Sequence, residues 1–173
     1  MQNSQHEVVE KNTESLTSII GHISGVISSD NFPNSDRAAL KRMDSKKEPP
    51  LSFYRFAFRH LPQSWQSQHK AWQSILSGMA LMSPHIHRPD QPLGRVLAEE
   101  RYSEARLERL LGSEDETQRT LILRTVRFLA AKKRPVNWTD IARLLLTSEP
   151  SKRENLHMNI ASHYYQNLES KEQ

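Results

Sequence analysis

Apolar residues recur at mixed helical spacings between residues 8 and 28, at Val9, Leu16, Ile19, Ile20, Ile23, Val26 and Ile27. The pattern predicts an amphipathic helix, weakened by Gly21 and Gly25. Asp30 to Ser35, with Pro33, breaks it. Ser35-Asp36 then reads as an N-cap for a short helix from Arg37 to Met43. Residues 44–50 end in Pro49-Pro50 and read as a linker. From Leu51 to Arg59 the positions of Phe53 and Phe56, with His60 one turn on, share a face and predict a helix ending before Pro62. Ser64 is expected to cap a longer helix carrying Trp65, Trp72, Ile75, Leu76, Met79 and Met82. Ser83 to Pro92 is the clearest loop and the expected boundary between two lobes.

After that loop, Leu93 to Glu100 reads as a short helix. Ser103 is expected to cap another, with Leu107, Leu110 and Leu111 apolar and Gly112 as its stop. Residues 115–131 carry the strongest helical pattern, with Leu121, Ile122, Val126, Phe128 and Leu129 apolar and Arg119, Arg124 and Arg127 on the remaining arc. Lys132 to Pro135 ends it. Asn137 or Thr139 caps a helix with Ile141, Leu144 and Leu145, and Pro150, at a first helical position, opens a last helix through Leu168. No alternating strand of convincing length and no internal repeat is present. The expected fold is all-α, two small packed helical bundles. Residues 1–35 supply an N-terminal helix and connection, 36–84 an N-terminal lobe and 92–173 a C-terminal lobe.

Composition narrows the class. The chain has 173 residues, 36% of them apolar, which suits one domain or two small lobes able to bury a core. No run approaches about 18 consecutive apolar residues, so no membrane-spanning helix is expected. Glu7, Glu10 and Glu14 stand where a secretory signal would need bases. The chain has no cysteine, which excludes disulfides, thiol nucleophiles and cysteine-ligated zinc and suits a cytoplasmic location.

Charge is distributed unevenly. Residues 36–60 hold seven bases and three acids, and residues 117–143 hold seven bases and one acid. Residues 1–35 and 83–116 are net acidic. Two basic blocks held close together would repel unless a polyanion lay between them, which makes nucleic acid the leading partner. Two separately solvated helix faces would give the same count.

Candidate chemistry is sparse. His85 and His87 could chelate a metal from their loop, but no third ligand is apparent, and an exposed proline-flanked loop explains them as well. His157 and His163, six apart on one helix, point to different faces. Glu114-Asp115-Glu116 sits where acids offset the positive end of a helix dipole. Trp65, Trp72 and Trp138 each lie at a helix start or on an apolar stripe and read as core. No catalytic constellation, metal site or cofactor motif is found.

The basic residues remain. Arg124 and Arg127 are neighbours on one helix face, and Lys132, Lys133 and Arg134 follow at that helix's C-terminal end, where they also suit its dipole. Arg101, Arg106 and Arg109 precede them, with Glu104 and Glu108 spaced to pair with Arg109 or each other's neighbours, so that some of this charge is structural. Arg37, Lys41 and Arg42 form a second cluster. Arginine suits phosphate because its planar fork donates two parallel hydrogen bonds. With no base-reading recognition helix evident, the pattern points to backbone contacts rather than sequence readout.

The order of motifs resembles the CasB family, the small subunit of the type I-E CRISPR Cascade complex. Arg37-Ala-Ala-Leu-Lys-Arg42 is similar to its early Ala-x-Leu-Arg-Arg element, and Leu51-Ser-Phe-Tyr-Arg-Phe56 to its Pro-x-Phe-Tyr-x-Leu element. Trp65 has a counterpart there. Pro92-Leu-Gly-Arg-Val-Leu-Ala98 resembles the family's Leu-Gly-Arg-x-Leu-Ala block, the most specific single signal. Ser103-Glu-Ala-Arg106, with Leu107, Leu110 and Leu111, resembles the stretch after it. Trp138-Thr-Asp-Ile-Ala-Arg-Leu-Leu145 is similar to Trp-x-x-Leu-Ala-x-x-Leu, and Arg153 follows in the last helix.

The resemblance implies an all-helical, non-enzymatic protein without cofactors. It implies two copies, head to tail, beside the backbone and large subunits of Cascade. There they would stabilise crRNA, target-strand heteroduplex and displaced DNA strand during R-loop formation in antiviral defence. By matching position it assigns nucleic-acid contacts to Lys41, Arg42, Arg95, Arg101, Arg106, Arg127 and Arg143. The charge pattern and the last-helix motif add Arg124, Lys132, Lys133, Arg134 and Arg153. An arginine inside a Leu-Gly-Arg motif, as Arg95 is, can equally serve a structural ion pair. Three features depart from the family pattern: the long acidic segment 1–30, the extended Lys132–Pro135 connection, and His69-Lys70 at a place where relatives can carry arginine. Two other classes compete: a stand-alone helical nucleic-acid-binding or scaffolding protein, and a metal-dependent hydrolase built on His85 and His87.

Overall fold

Wherever apolar residues recur every three or four positions, the backbone is helical. The computed structural model describes residues 15–172. Among them the fold is all-α, and its only extended pairing is an isolated bridge between His87 and Val136. No helix among the described residues is long and apolar enough to cross a membrane.

The first helix, α1, spans Leu16–Ser28, and residues 8–14 of the expected helix lie outside the described part. Ser15 Oγ accepts a hydrogen bond from the Ser18 amide (3.2 Å) and caps it. Ile19, Ile20, Ile23 and Ile27 are buried, whereas Gly21 and Gly25 face solvent. Each fully buried isoleucine contributes about 1.5–3 kcal/mol, more than the roughly 1 kcal/mol that each exposed helical glycine costs. Helix α2 spans Asn34–Lys41 and begins earlier than the sequence suggests. Ser35 and Asp36 lie inside its first turn, and no side chain caps it. Pro33, with its ring-fixed φ, provides the entry, and its carbonyl accepts from the Arg37 amide (3.0 Å). Arg37 turns back on α1 and donates to the carbonyls of Ile27 (2.9 Å) and Ser29 (2.9 Å). It is therefore a C-terminal cap for α1, not part of a free basic cluster.

Helix α3 spans Leu51–His60 and presents Phe53, Phe56 and Ala57 inward. Ser64 does not cap a long helix. Residues Trp65–Gln68 form a 3-10 turn, in which the Ser64 carbonyl accepts from the Ser67 amide (3.2 Å), and α4 begins afterwards as His69–Met82. The burial of Trp65, edge-on to Phe53 (5.6 Å between ring centroids), accompanies this tightening. Every residue of α4 from Ala71 to Ala80 is buried, and α4 touches α2, α7, α1 and the helix Trp138–Leu146.

The remaining helices are α5 (Leu93–Glu99), α6 (Glu104–Leu111), α7 (Asp115–Ala131), α8 (Trp138–Leu146) and α9 (Pro150–Glu172). The last runs beyond Leu168, since no glycine or proline follows to end it. Ser103 Oγ caps α6 and Asn137 Oδ1 caps α8, so Thr139 is not the cap. The α5–α9 contact is the most extensive between helices among the described residues. It forms where Gly94 lets the two backbones meet, and the Tyr164 hydroxyl donates to the Tyr102 carbonyl (2.5 Å) beside it. Asp140 on α8 is buried and accepts from the first amide of α5, that of Leu93 (2.9 Å). Burial pushes its carboxyl up, and the Leu93 bond and the charges of Arg143, His163 and His87 only partly offset that.

Helices on both sides of the Ser83–Pro92 connection share one contiguous apolar cluster, from Ile19 to Tyr164. Trp65, Trp72 and Trp138 are all buried in it. The connection itself is pinned: the Arg88 amide donates to the Val136 carbonyl (3.0 Å), and the Val136 amide to that of Ile86 (3.3 Å). His85 is exposed, but His87 is half-buried, and its Nδ1 accepts from the Trp138 amide (3.0 Å). His87 thus secures the start of α8, and the picture of a wholly exposed loop does not hold for it. Among the described residues, no group of three or more His, Cys, Asp or Glu could hold a metal ion.

Candidate nucleic-acid interface

The two basic blocks meet in the fold. Because α4 packs against both α2 and α7, the end of α2 and the turn after it run beside α7. Residues 41–46 form one wall of an open groove of about 460 Å3, and Thr120, Leu123, Arg124 and Arg127 form the other. The α7 wall follows from the helical period: these positions lie opposite the buried Ile122, Val126 and Leu129.

The facing wall is a turn, and it is held from beneath. Leu40 and Met43 anchor it in the core. Gln73 of α4, only 2% exposed, donates from Nε2 to the carbonyls of Asp44 (3.5 Å) and Lys47 (3.3 Å). Asp44 Oδ1 accepts from the Lys46 amide (2.9 Å), which fixes the turn further. A buried amide thus positions the loop that carries the bases.

Lys41, Arg42, Arg124 and Arg127 are exposed and make no ion pair among the described residues. Lys46 reaches Glu116 at the start of α7 (2.9 Å). Their hydrogen bond and mutual charge hold the ammonium above, and the carboxyl below, its ordinary range. Both groups are open to water, so the pair contributes little to stability. Asp44 is the only carboxylate among the lining residues. Uncompensated cations on both walls repel one another across the groove, and a phosphate chain laid between them removes that repulsion.

A second set of bases is engaged within the protein. Arg95 donates to Glu99 (2.9 Å), the ion pair that its motif allows. Arg134 bonds the same carboxylate and lies 3.7 Å from Glu100, and Lys132 reaches Glu100 (3.4 Å). Burial pushes the Glu99 carboxyl up, but the Arg95 bond and the charges of Arg134 and Arg95 outweigh it and hold it low. Arg106 stacks over Tyr102 (4.2 Å) and Phe128 (5.0 Å), and Lys132 over Phe128 (5.2 Å). Arg153 is tied to Glu114 (3.2 Å) and the Ser113 carbonyl (3.2 Å).

Arg101, Lys133 and Arg143 are exposed and make no ion pair among the described residues. Arg101 and Lys133 sit on neighbouring turns, because Glu100 and Lys132 bridge α5 to the end of α7. Glu104 does not pair with Arg109; it accepts from the Tyr165 hydroxyl. The structure therefore gathers Lys41, Arg42, Arg124 and Arg127 in one groove. It sets Arg95, Arg101, Arg106, Lys132, Lys133 and Arg134 around the α5–α7 junction and leaves Arg143 and Arg153 apart. Sequence reasoning missed Lys46 and Gln73 as parts of the groove. Lys46 lay within the basic block, and the signal for Gln73 was a lone amide inside the most apolar helical run.

From Asp36 to Tyr165, most of the chain, the sequence matches the family described as CRISPR-associated protein Cse2. The chain belongs to the Cse2 family. Cse2 is the small subunit of type I-E Cascade, also called CasB. No curated protein and no solved structure gives a significant match. The Cse2 match takes in both groove walls and the α5–α9 crossing, and it leaves α1 outside.

Proposed function

We propose that this Cse2-family chain is the non-catalytic small subunit of a crRNA-guided type I-E Cascade complex in the cytoplasm. Two copies stand head to tail and stabilise crRNA, target-strand heteroduplex and displaced strand during R-loop formation. The observation that carries this reading is the groove, in which Lys41 and Arg42 from one sequence block face Arg124 and Arg127 from another. Base pairing selects the target, and the protein supplies electrostatic contacts to backbone. R-loop exchange is close to balanced, so a few such contacts tip it.

The test is reconstitution of the full chain with the remaining Cascade subunits and crRNA, with target-DNA binding measured across a salt series. The wild-type chain is expected to co-purify at two copies and to tighten binding with a steep salt dependence. Arg124→Gln with Arg127→Gln is expected to lower the slope of log K against log salt by about two while circular dichroism stays unchanged. Exclusion of the chain from the complex, or an unchanged slope in the double variant, overturns the reading. Exclusion combined with duplex binding by the chain alone would establish a stand-alone helical binder instead.

A further inference from the structure

A second basic concavity lies at the start of α7 and shares no lining residue with the groove. It holds about 340 Å3 between the start of α4 and the first turns of α7, with the end of α8 as its third side. Its lining includes His69, Lys70, Asp115, Gln118, Arg119 and Arg153. Three features set it apart from a solvated charge cluster.

First, Gln118 is only 6% exposed, yet its Nε2 is buried without a hydrogen-bond partner among the described residues. The adjacent Arg119 Nε is buried and unpartnered in the same way. Buried donors without acceptors are costly, and both belong to residues that line this one pocket. Second, α4 opens onto the pocket with His69, Lys70 and Ala71, and no side chain caps that helix start. The positive dipole end of that helix favours an anion. Third, the lining is mainly basic: Lys70, Arg119 and Arg153 stand against one lining carboxylate, Asp115, with Arg153 tied to Glu114 and the nearby Glu116 charge felt by Arg119 and Lys70. Gln68 Nε2, bonded to the Leu146 carbonyl (2.9 Å), holds the pocket's walls together.

We propose that this pocket binds a phosphate group, with the Arg119 guanidinium, the Lys70 ammonium and the Gln118 amide as donors. A phosphate offers several acceptor oxygens, which suits a site with more than one donor. A phosphate of a bound nucleic-acid strand and a phosphate on a free small molecule present the same chemistry here. The site stands on its own donors and does not depend on the groove's role.

The test titrates the full chain with inorganic phosphate by calorimetry, and then with a single-stranded oligothymidylate of roughly ten nucleotides. Wild type is expected to bind phosphate saturably. Arg119→Gln and Lys70→Gln should each weaken phosphate binding at least about tenfold, while Arg88→Gln, at an exposed residue that lines neither the pocket nor the groove, leaves it unchanged. Lys70 is exposed on a first turn, so its variant reads the site even if Arg119→Gln fails to fold. Displacement of phosphate by the oligonucleotide would assign the site to a nucleic-acid strand. Phosphate binding lost in both variants but untouched by the oligonucleotide would assign it to a small molecule. Wild-type affinity in Lys70→Gln and Arg119→Gln, or no saturable phosphate binding at all, overturns the proposal. Because the groove is read through Arg124 and Arg127, failure of either site is visible without the other.

Discussion

A Cβ built on Gly94 would stand 2.0 Å from the Ile160 carbonyl oxygen and 2.9 Å from the Tyr164 amide nitrogen, both backbone atoms of α9. Backbone cannot rotate aside as a side chain can. Gly94→Ala must therefore drive α5 off α9, with an expected loss of about 1–3 kcal/mol, read as a lower urea midpoint. An unchanged midpoint would refute the crossing. The Leu-Gly-Arg string is plain in the sequence, but its reason is not, because which helix lies on Gly94 is settled only by the fold. His87 is a similar case. Burial holds its imidazole below the ordinary 6.5, against weaker upward pulls from the Val136 backbone and the Asp140 charge. Its Nδ1 accepts from Trp138, which a protonated ring cannot do. Between the lowered value and 6.5 the unfolded chain binds more protons than the folded one, so stability falls as pH drops through that window. Burial lowers His60 and His157 too, so they act in the same direction. Asp140 acts oppositely: its raised carboxyl makes stability fall as pH rises from 3.8 toward its folded value. Urea unfolding at about pH 5.5 and 7.5 should show the lower midpoint in acid. His87→Asn, whose amide oxygen replaces Nδ1 without titrating, should flatten the difference.

Helix interiors were legible and helix ends less so. The interiors of α3, α6 and α7 match the apolar period closely, since burial of a stripe dominates over local preference. The entries to α2 and α4 were misread because capping was assigned to Ser35-Asp36 and Ser64. The fold uses backbone carbonyls of Pro33 and Ser64 and a tertiary anchor, Trp65, instead. The ends of α5 and α7 carry a shared device. The Arg101 amide bonds the Ala98 carbonyl (3.1 Å) and the Tyr102 amide that of Leu97 (2.9 Å). The Lys133 amide bonds Ala130 (3.0 Å) and the Arg134 amide bonds Leu129 (3.0 Å). These are the paired bonds of a Schellman ending, whose left-handed residue is usually glycine. Here that residue is a base, with φ of 59° at Arg101 and 52° at Lys133. A left-handed non-glycine residue costs about 1–2 kcal/mol, and a cation near a helix C-terminus returns about 0.3–1 kcal/mol. Arg101→Gly with Lys133→Gly should therefore raise the melting temperature while loosening target-DNA retention in the assembled complex. A double variant that melts lower and retains DNA as wild type does would make both bases structural.

At the scale of the whole molecule, the two basic blocks were visible as composition, but their meeting was not. It depends on α4 being buried along its length, with α2 and α7 as neighbours, and on Gln73 reaching out to hold the turn at Asp44. The pairing has no local signature, because a helix buried on all sides does not say which partner takes which side, and the lone Gln73 amide does not say which turn it holds. The same central position of α4 has an optical consequence. Trp138 is fully buried, its ring fills the notch left by Gly78, and its Nε1 has no hydrogen-bond partner among the described residues. With Trp65 and Trp72 buried as well, every indole in the chain is shielded from water. Emission from such rings lies to the blue and moves to the red when solvent reaches them. The chain thus carries its own fluorophore, Trp138, at the seam between α4 and α8, and separation of those helices can be followed by light, with no dye attached to the cationic surface.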